Sequence, residues 1–365
     1  MELKKIHISD IGKVVTGKTP RTSIVENYGG DIPFLTPSDD LSYKSVPKTG
    51  KTLTEQGLNE VKNCLLPPHS VCVSCIGTDL GKVVMTSEPT ITNQQFNSII
   101  PNRRFDADFV YYLMTLVGKE LNYLSKTSTA VPIINKSSFS NYEVEVPDLE
   151  TQEKIASILS SLDSKIELNR RINDNLEQQA QALFKAWFVD NAVIDDASVS
   201  DYFIPLRGKN LLTSDAKGGE VPVVAGGLTP SAYHNVANTK APVITISASG
   251  ANAGYVKLWG VPVWSADSSY IDSSVTPHIY FWYNLLKFSQ KNIFDSQTGS
   301  AQPHIYPKHI GDIHIPNLDL DKVADYNKIV TPIYEQITNT QKLNMQLTVT
   351  RDTLLPKLMS GEIKI

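Results

Sequence analysis

Cysteine is scarce in this chain, with three in 365 residues: Cys64, Cys72 and Cys75. A structural zinc site needs four donors, usually two C-x-x-C pairs or one pair with histidines. Here a single C-x-x-C lies inside VCVSC, which reads as a strand. Residues three apart on a strand point to opposite faces and cannot share a metal. Buried free thiols are expected instead. Long apolar runs are missing too. None approaches the roughly 20 residues that span a bilayer, and MELKKIHISD lacks the apolar centre of a signal peptide. These absences predict a cytoplasmic chain with no membrane partner. Positive charge is not in excess, the net charge being −4. Attraction to nucleic-acid phosphates would have to come from local patches or from other chains.

Glycine and proline are absent from one stretch, Thr151 to Phe188, which is rich in strong helix formers. Within it Leu162, Ile166, Asn169, Asn173, Leu176, Ala180, Leu183 and Trp187 follow alternating steps of four and three. That is the spacing of a coiled-coil seam. At 1.5 Å per residue the helix would be roughly 55 Å long, the length of a spacer. The pattern occurs twice. Ile333, Ile337, Thr340, Asn344, Leu347, Arg351, Leu354 and Leu358 repeat it. Ile166 maps to Ile337, Asn173 to Asn344, Leu176 to Leu347 and Leu183 to Leu354, each pair 171 positions apart. Pro356 must end or kink the last turn of the second copy. Asn173 and Asn344 hold equivalent seam positions, so they are expected to set the register of an antiparallel pair.

The chain as a whole is globular in composition, 41% hydrophobic and 20% charged, and long enough for two domains. In residues 1–147, IPFLT (32–36), SVCVSCIG (70–77) and GKVVMT (81–86) read as strands. Thr52 to Asn63 and Asp106 to Ser125 read as helices. Residues 191–316 repeat this framework. Gly29, Gly30 and Pro33 find echoes in Gly218, Gly219 and Pro222. Ser74, Gly77, Gly81, Val83 and Pro89 match Ser247, Gly250, Gly254, Val256 and Pro262, and Thr127, Ala130 and Pro132 match Thr298, Ala301 and Pro303. Matched positions set backbone geometry, whereas most polar positions between them differ. The expected fold class is therefore mixed α/β (α+β). It comprises two similar domains, 1–147 and 191–316, with two long helices, 148–190 and 317–365, paired antiparallel about a pseudo-two-fold axis. Such a rod suits two short DNA half-sites separated by unread base pairs.

Three catalytic patterns occur and fail on context. Gly12 to Thr19 satisfies G-x-x-x-x-G-K-[ST], but Pro20 follows and no helix can open there to cradle phosphate. Pro147-Asp148 with Asp163 and Lys165 mimics a metal nuclease, yet Asp163 and Lys165 diverge around the long helix. The only Pro-Pro, Pro67-Pro68, lacks the residues that hold a flipped base. No catalytic residue and no metal ligand set is assigned.

PDLETQEKIASILSSLDSKIELNRRINDNLEQQAQALFKAWF and RDTLLPKLMSGEI resemble the two repeated helical regions of type I restriction–modification specificity subunits. GKTPRTSIVENYGGDIPFLTPSD and TITNQQFNSI resemble the opening and middle of that family's target-recognition domains. The resemblance covers essentially the whole chain and its duplication. It implies a non-catalytic subunit that binds double-stranded DNA, each domain reading one half of a bipartite target and the helices acting as a ruler. It implies two methyltransferase subunits as partners, with motor–nuclease subunits as optional ones. S-adenosylmethionine, ATP and magnesium would belong to those partners, and this chain would hold no cofactor. A coiled-coil adaptor without a DNA role, or a free-standing DNA-binding protein, are the competing classes. The first makes two different surfaces on one framework pointless, and the charge balance disfavours the second.

Direct readout needs Arg, Lys, Asn, Gln, Ser or Thr on loops. In the first domain the candidates are Thr19, Arg21, Thr78, Lys82, Gln94, Gln95, Asn97, Lys126 and Thr127. In the second they are Lys209, Thr229, Ser249, Asn252, Ser268, Ser269, Gln297, Thr298, Gln302 and His304. Arg170 and Arg171 on the helix are expected to face solvent or a partner.

Overall fold

The structure, a computed structural model, describes residues 1–77, 79–125, 133–190, 197–299 and 303–365. Two compact units divide the chain, residues 1–168 with 345–365, and residues 169–344. Among the described residues no helix is long and apolar enough to cross a membrane.

The first unit holds strands β1 (Lys4–His7), β2 (Gly12–Thr16), β3 (Tyr28–Leu35), β4 (Thr52–Leu53), β5 (Val71–Ser74), β6 (Val83–Met85), β7 (Ile91–Thr92), β8 (Phe96–Pro101) and β9 (Glu143–Val146). Its main sheet is antiparallel with order β2-β8-β5-β6. A smaller sheet has order β4-β3-β7, its first pair antiparallel and its second parallel, while β1 pairs with β9. The main sheet is covered on both faces, so its strands β5 (VCVS) and β6 (VVM) are buried along their whole length rather than at alternate residues. Val71, Val73 and Cys75 pack with Phe109, Leu113, Met114 and Val117 of the helix Ala107–Ser125. Cys72 points the other way, into a core with Phe34, Leu35, Leu53 and Cys64. The three thiols are free and buried, and the C-x-x-C pair is split between two cores. The sequence expectation of one helix from Thr52 needs correction. Thr52–Leu53 is a strand, and Thr54 then caps a shorter helix, Glu55–Val61, by accepting the Gly57 N–H at 3.2 Å.

The second unit repeats the plan strand for strand. β10 (Ala197–Ser198), β11 (Leu206–Arg207), β12 (Val221–Val224), β13 (Ala232–His234), β14 (Val243–Ser247), β15 (Val256–Trp259), β16 (Trp264–Ser265), β17 (Ser268–Ile271) and β18 (His314–Ile315) form sheets β11-β17-β14-β15 and β13-β12-β16 and the pair β10-β18. Parallel and antiparallel pairings match those of the first unit. One departure concerns the helix packed on the main sheet. The single 19-residue helix of the first unit is replaced by two, Ile279–Phe288 and Gln290–Asp295, broken at Ser289.

Two 40-residue helices complete the chain, Leu149–Phe188 and Leu320–Met359, each roughly 60 Å long. Asp148 caps the first, accepting the Thr151 N–H at 2.9 Å. Within each unit the helices run antiparallel. In the first unit Asp163 meets Arg351 while Ile155 and Leu159 share a core with Leu355 and Leu358. In the second, Asn169 meets Asn344, Ala180 accepts from Tyr326, and Trp187 accepts from Lys322. The second helix ends one turn after Pro356, where the Ser360 N–H bonds to the Pro356 carbonyl.

Three seam assignments require correction. Leu183 is 36% exposed while its neighbour Phe184 is buried. Leu162 is half-buried, and Asp163 takes the buried place beside it. Both shifts follow from geometry, since a straight helix of 3.6 residues per turn drifts off a strict 3.5-residue repeat. Ile166 and Ile337 are buried, and Leu176, Ile333, Leu347 and Leu354 lie half-buried along the seam. Of the two asparagines expected to set the register, Asn344 does pair across the seam, with Asn169 Nδ2 donating to its Oδ1 at 2.7 Å, whereas Asn173 does not. That register sets Asn173 opposite Thr340, whose hydroxyl donates to its own helix at the Gln336 carbonyl. The Asn173 Oδ1 is consequently buried without a hydrogen bond.

Candidate nucleic-acid interface

Strand register decides which loops meet. In the first unit β2 ends at Thr16, β8 begins at Phe96, β5 ends at Ser74 and β6 begins at Val83, all at one end of the main sheet. Residues 17–21, 75–77 with 79–82, and 93–95 are therefore neighbours, and a bridge from Ile76 to Ile133 brings a fourth segment to them. In the second unit the same end gathers residues 208–210, 248–255 and 266–267, with His304 bridged to Ser249.

The backbone hydrogen bonds holding these loops are the same in both units. Gly17 N–H donates to the Phe96 carbonyl as Gly208 does to Ser268. Cys75 donates to Gln95 as Ala248 does to Asp267, and Gly81 to Ser74 as Gly254 does to Ser247. Ile134 donates to Cys75 as Ile305 does to Ala248. The side chains carried on this shared framework differ. Where the first unit bridges Ile76 to Ile133, the second bridges Ser249 to His304. Thr16 and Gln95 are replaced by Arg207 and Asp267.

In the first unit Thr19 Oγ1 donates to the exposed Gln94 at 2.7 Å. Arg21 is clamped on Glu60, its Nη2 at 2.7 Å and its Nε at 3.0 Å from Oε1. Those hydrogen bonds hold the Glu60 carboxyl down to about 2. Lys82 is exposed on the hairpin, and Gln95 is half-buried, accepting from Asn93 Nδ2 at 2.8 Å. Asn97 is a correction. It is 3% exposed, accepts from Thr16 at 2.6 Å and donates to the Ile134 carbonyl at 3.1 Å, so its amide braces the loop instead of facing outward. Thr78, Lys126 and Thr127 lie outside the described residues, as does Gln302 in the second unit.

In the second unit Lys209 and Thr229 are exposed, with Lys209 anchored through its backbone to Ser265. Asn252 is half-buried and accepts the Tyr255 N–H through its carbonyl. Ser268 and Ser269 are also corrections. Both are buried in β17, where Ser268 bonds to Ser265 and the Val224 carbonyl. A polar residue on a central strand cannot be told from one on a loop by its identity alone. Gln297 donates to the Ala253 carbonyl at 2.8 Å, and Thr298 is exposed and paired with His304 through two backbone hydrogen bonds. His309 accepts the Tyr306 N–H. On the helix, Arg171 is exposed and Arg170 half-buried.

Sequence reasoning missed one constellation. Arg207 Nη2 donates to Asp267 Oδ1 at 2.8 Å, and the Ser249 hydroxyl donates to Asp267 Oδ2. Its signal was the alignment of Gly17 with Gly208, which places Arg207 at the end of the main sheet. The catalytic lookalikes dissolve. Gly12 opens strand β2 rather than a phosphate loop, Asp148 is a helix cap, and Asp163 is committed to Arg351 and Tyr112. Among the described residues no group of three or more His, Cys, Asp or Glu could hold a metal ion.

The arrangement defines a class: a protein built from one scaffold used twice, with a different set of polar side chains at the same end of each sheet. Residues 1–178 match the family model described as the type I restriction modification DNA specificity domain. The specificity subunit of the type I restriction enzyme MjaIX from Methanocaldococcus jannaschii is 28% identical, over 100% of this chain and 94% of that protein. The HindI specificity subunit from Haemophilus influenzae is 37% identical over 46% of this chain and 38% of that protein. A crystal structure of a type I restriction–modification S subunit from M. genitalium has the same fold, with a TM-score of 0.55 and 19% identity, covering 98% of this chain and 96% of that one. The chain is thus similar along its whole length to type I restriction enzyme specificity subunits, and its first 178 residues match the DNA specificity domain of those systems.

Proposed function

We propose that this chain is the DNA sequence-recognition subunit of a type I restriction–modification complex and is not itself an enzyme. Each recognition domain, 1–147 and 191–316, reads one half of a bipartite target in double-stranded DNA. The helices, 148–190 and 317–365, set the spacing between halves and dock two methyltransferase subunits. Motor–nuclease subunits are further partners, and S-adenosylmethionine, ATP and magnesium chemistry resides on partner chains. One observation carries this reading. The backbone hydrogen bonds at the loop end of both sheets are repeated while the side chains they present are exchanged. A scaffold conserved in geometry and varied in hydrogen-bonding groups is what two different base sequences require. The near-neutral charge balance fits a subunit that shares phosphate contacts with its partners.

The test is methylome sequencing of the host with and without this chain, alongside a pull-down with the methyltransferase subunit. A bipartite methylated motif is expected to vanish on deletion. Exchange of residues 1–147 alone is expected to change one half of that motif. A chain that binds no methyltransferase and whose deletion changes no motif is an adaptor, and the reading is then wrong.

A further inference from the structure

Arg207 ends β11 at the loop end of the second unit's main sheet, directly across from Ser269 of β17. Its side chain is 43% exposed. One of its five N–H donors is spent on Asp267, at 2.8 Å. Asp267 is in turn fixed from two sides. Its second carboxylate oxygen takes the Ser249 hydroxyl, and its carbonyl takes the Ala248 N–H. The bridge from Ser249 to His304 continues the same polar line across the end of the sheet. An arginine held in this way has little rotamer freedom left to lose and presents the rest of its planar fork in a set direction.

The carboxylate also decides what the fork is for. A phosphate contact gains from net positive charge. The Arg207–Asp267 pair is neutral overall, and Asp267 would repel a phosphate drawn to it. What remains is directional hydrogen bonding, and paired guanidinium donors match the O6 and N7 acceptors of guanine in the major groove. Given the recognition role proposed above, we infer that Arg207 reads a guanine in the half-site of the second domain, with Asp267 and Ser249 as its positioning residues. The first unit has Thr16 in this place, its hydroxyl donating to Asn97 at 2.6 Å, and so presents no guanidinium there.

The test compares methylomes directed by the full chain in its complex, as wild type, Arg207→Ala and Asp267→Asn. The half-site of the second domain is the one that exchange of residues 1–147 leaves unchanged. Arg207→Ala is expected to free one position of that half-site, guanine in the wild type, to other bases. Discrimination there should fall by about 5- to 150-fold, with the remaining fixed bases kept. Asp267→Asn keeps the guanidinium but loosens its anchor, so it should relax the same position to a smaller extent. It decides alone should Arg207→Ala fail to accumulate. Methylation lowered equally on all sequences would make Arg207 a phosphate contact and overturn the inference. So would an unchanged motif, or relaxation at a base other than guanine. A wild-type chain that directs no bipartite motif would overturn the recognition role itself.

Discussion

The two units differ most where the helix on each main sheet meets the long-helix seam. In the first, Tyr112 donates to Asp163 at 2.5 Å and Arg351 donates to the same carboxylate at 2.6 Å. A shift of 171 positions along the chain gives the second unit's counterparts: Tyr283, Tyr334 and Ala180. There Tyr334 donates to Asn284 at 2.9 Å, Tyr283 donates to Glu177 at 2.5 Å, and Ala180 leaves room for Tyr326 to reach its carbonyl at 2.8 Å. One place in the scaffold thus accepts a buried ion pair in one copy and an aromatic cluster in the other. Burial pushes the phenols of Tyr112 and Tyr334 well above their ordinary value in both settings. Backbone geometry is held constant while buried chemistry is free to change, provided every polar group finds a partner.

The largest expected effect breaks the ionic version. Arg351→Ala leaves the Asp163 carboxylate, whose side chain is 8% exposed, without its cation. Removing one partner of a buried pair costs about 3–5 kcal/mol, so the melting temperature should fall by roughly 10 °C. Importing the second unit's solution as Asp163→Tyr with Arg351→Ala should recover much of that loss. A single variant that melts like the wild type would mean the pair contributes nothing.

A second contrast lies along the helix packed on each sheet. Gly118, in the first unit, presses its backbone on that of Gly81, and a Cβ added at 118 would stand 2.1 Å from the Gly81 carbonyl oxygen. Exchanging helical Gly for Ala ordinarily gains about 1 kcal/mol. Here backbone stands in the way, so Gly118→Ala should destabilise by about 1–3 kcal/mol through overpacking. The counterpart in the second unit is Ser289, where the helix breaks and Gln290 takes over the contact, donating to the Gly254 carbonyl at 2.8 Å. Ser289→Ala should stay within about 0.5 kcal/mol. Chemical denaturation of both variants checks the pair, and equal effects would erase the contrast.

These contrasts also mark where sequence reading stopped. The long helices were legible because a stretch without Gly or Pro and with a heptad period has few other outcomes. The duplicated framework was legible because Gly and Pro fix backbone shape regardless of neighbours. Asp163 was not, because a seam is expected to be apolar and only the tertiary partners Tyr112 and Arg351 make a buried carboxylate tolerable. Asn97, Ser268 and Ser269 have the side chains of base readers, yet strand register buries them. Arg207 escaped for the converse reason. A single arginine in IPLRGK has no signal of its own until Asp267 and Ser249 are folded against it.

Cysteine separates the units by chemistry. Cys72 of β5 corresponds to Thr245 of β14, which accepts the Trp259 indole N–H at 2.8 Å. Burial pushes the Cys72 thiol up to about 12 from an ordinary 9.0. The native chain keeps this proton above pH 9 while the unfolded chain releases it. Stability from this group is therefore full below pH 9 and declines as pH rises toward 12, by up to about 1.4 kcal/mol per unit. At pH 10 the first unit should loosen first, with Cys72→Ala removing that part of the pH dependence. Identical alkaline profiles for wild type and variant would refute this.

The smallest effect concerns the polar pair of the seam. Asn169 is 3% exposed and donates to Asn344 at 2.7 Å. Asn169→Leu alone removes the amide donor to the Asn344 side-chain oxygen and should cost about 1–2 kcal/mol. Replacing both by Leu removes donor and acceptor together, and such exchanges are nearly neutral or slightly stabilising. Stability is therefore a poor measure of what the pair does. A buried amide pair in a helix seam typically selects one register over its neighbours. The double variant should keep its melting temperature while losing uniformity, seen as methylation at targets with spacers one base pair longer or shorter than the wild-type motif allows. A double variant with an unaltered spacer would assign register to the Asp163–Arg351 pair and to the apolar packing around it. The ionic joint of the first unit would then carry both stability and alignment.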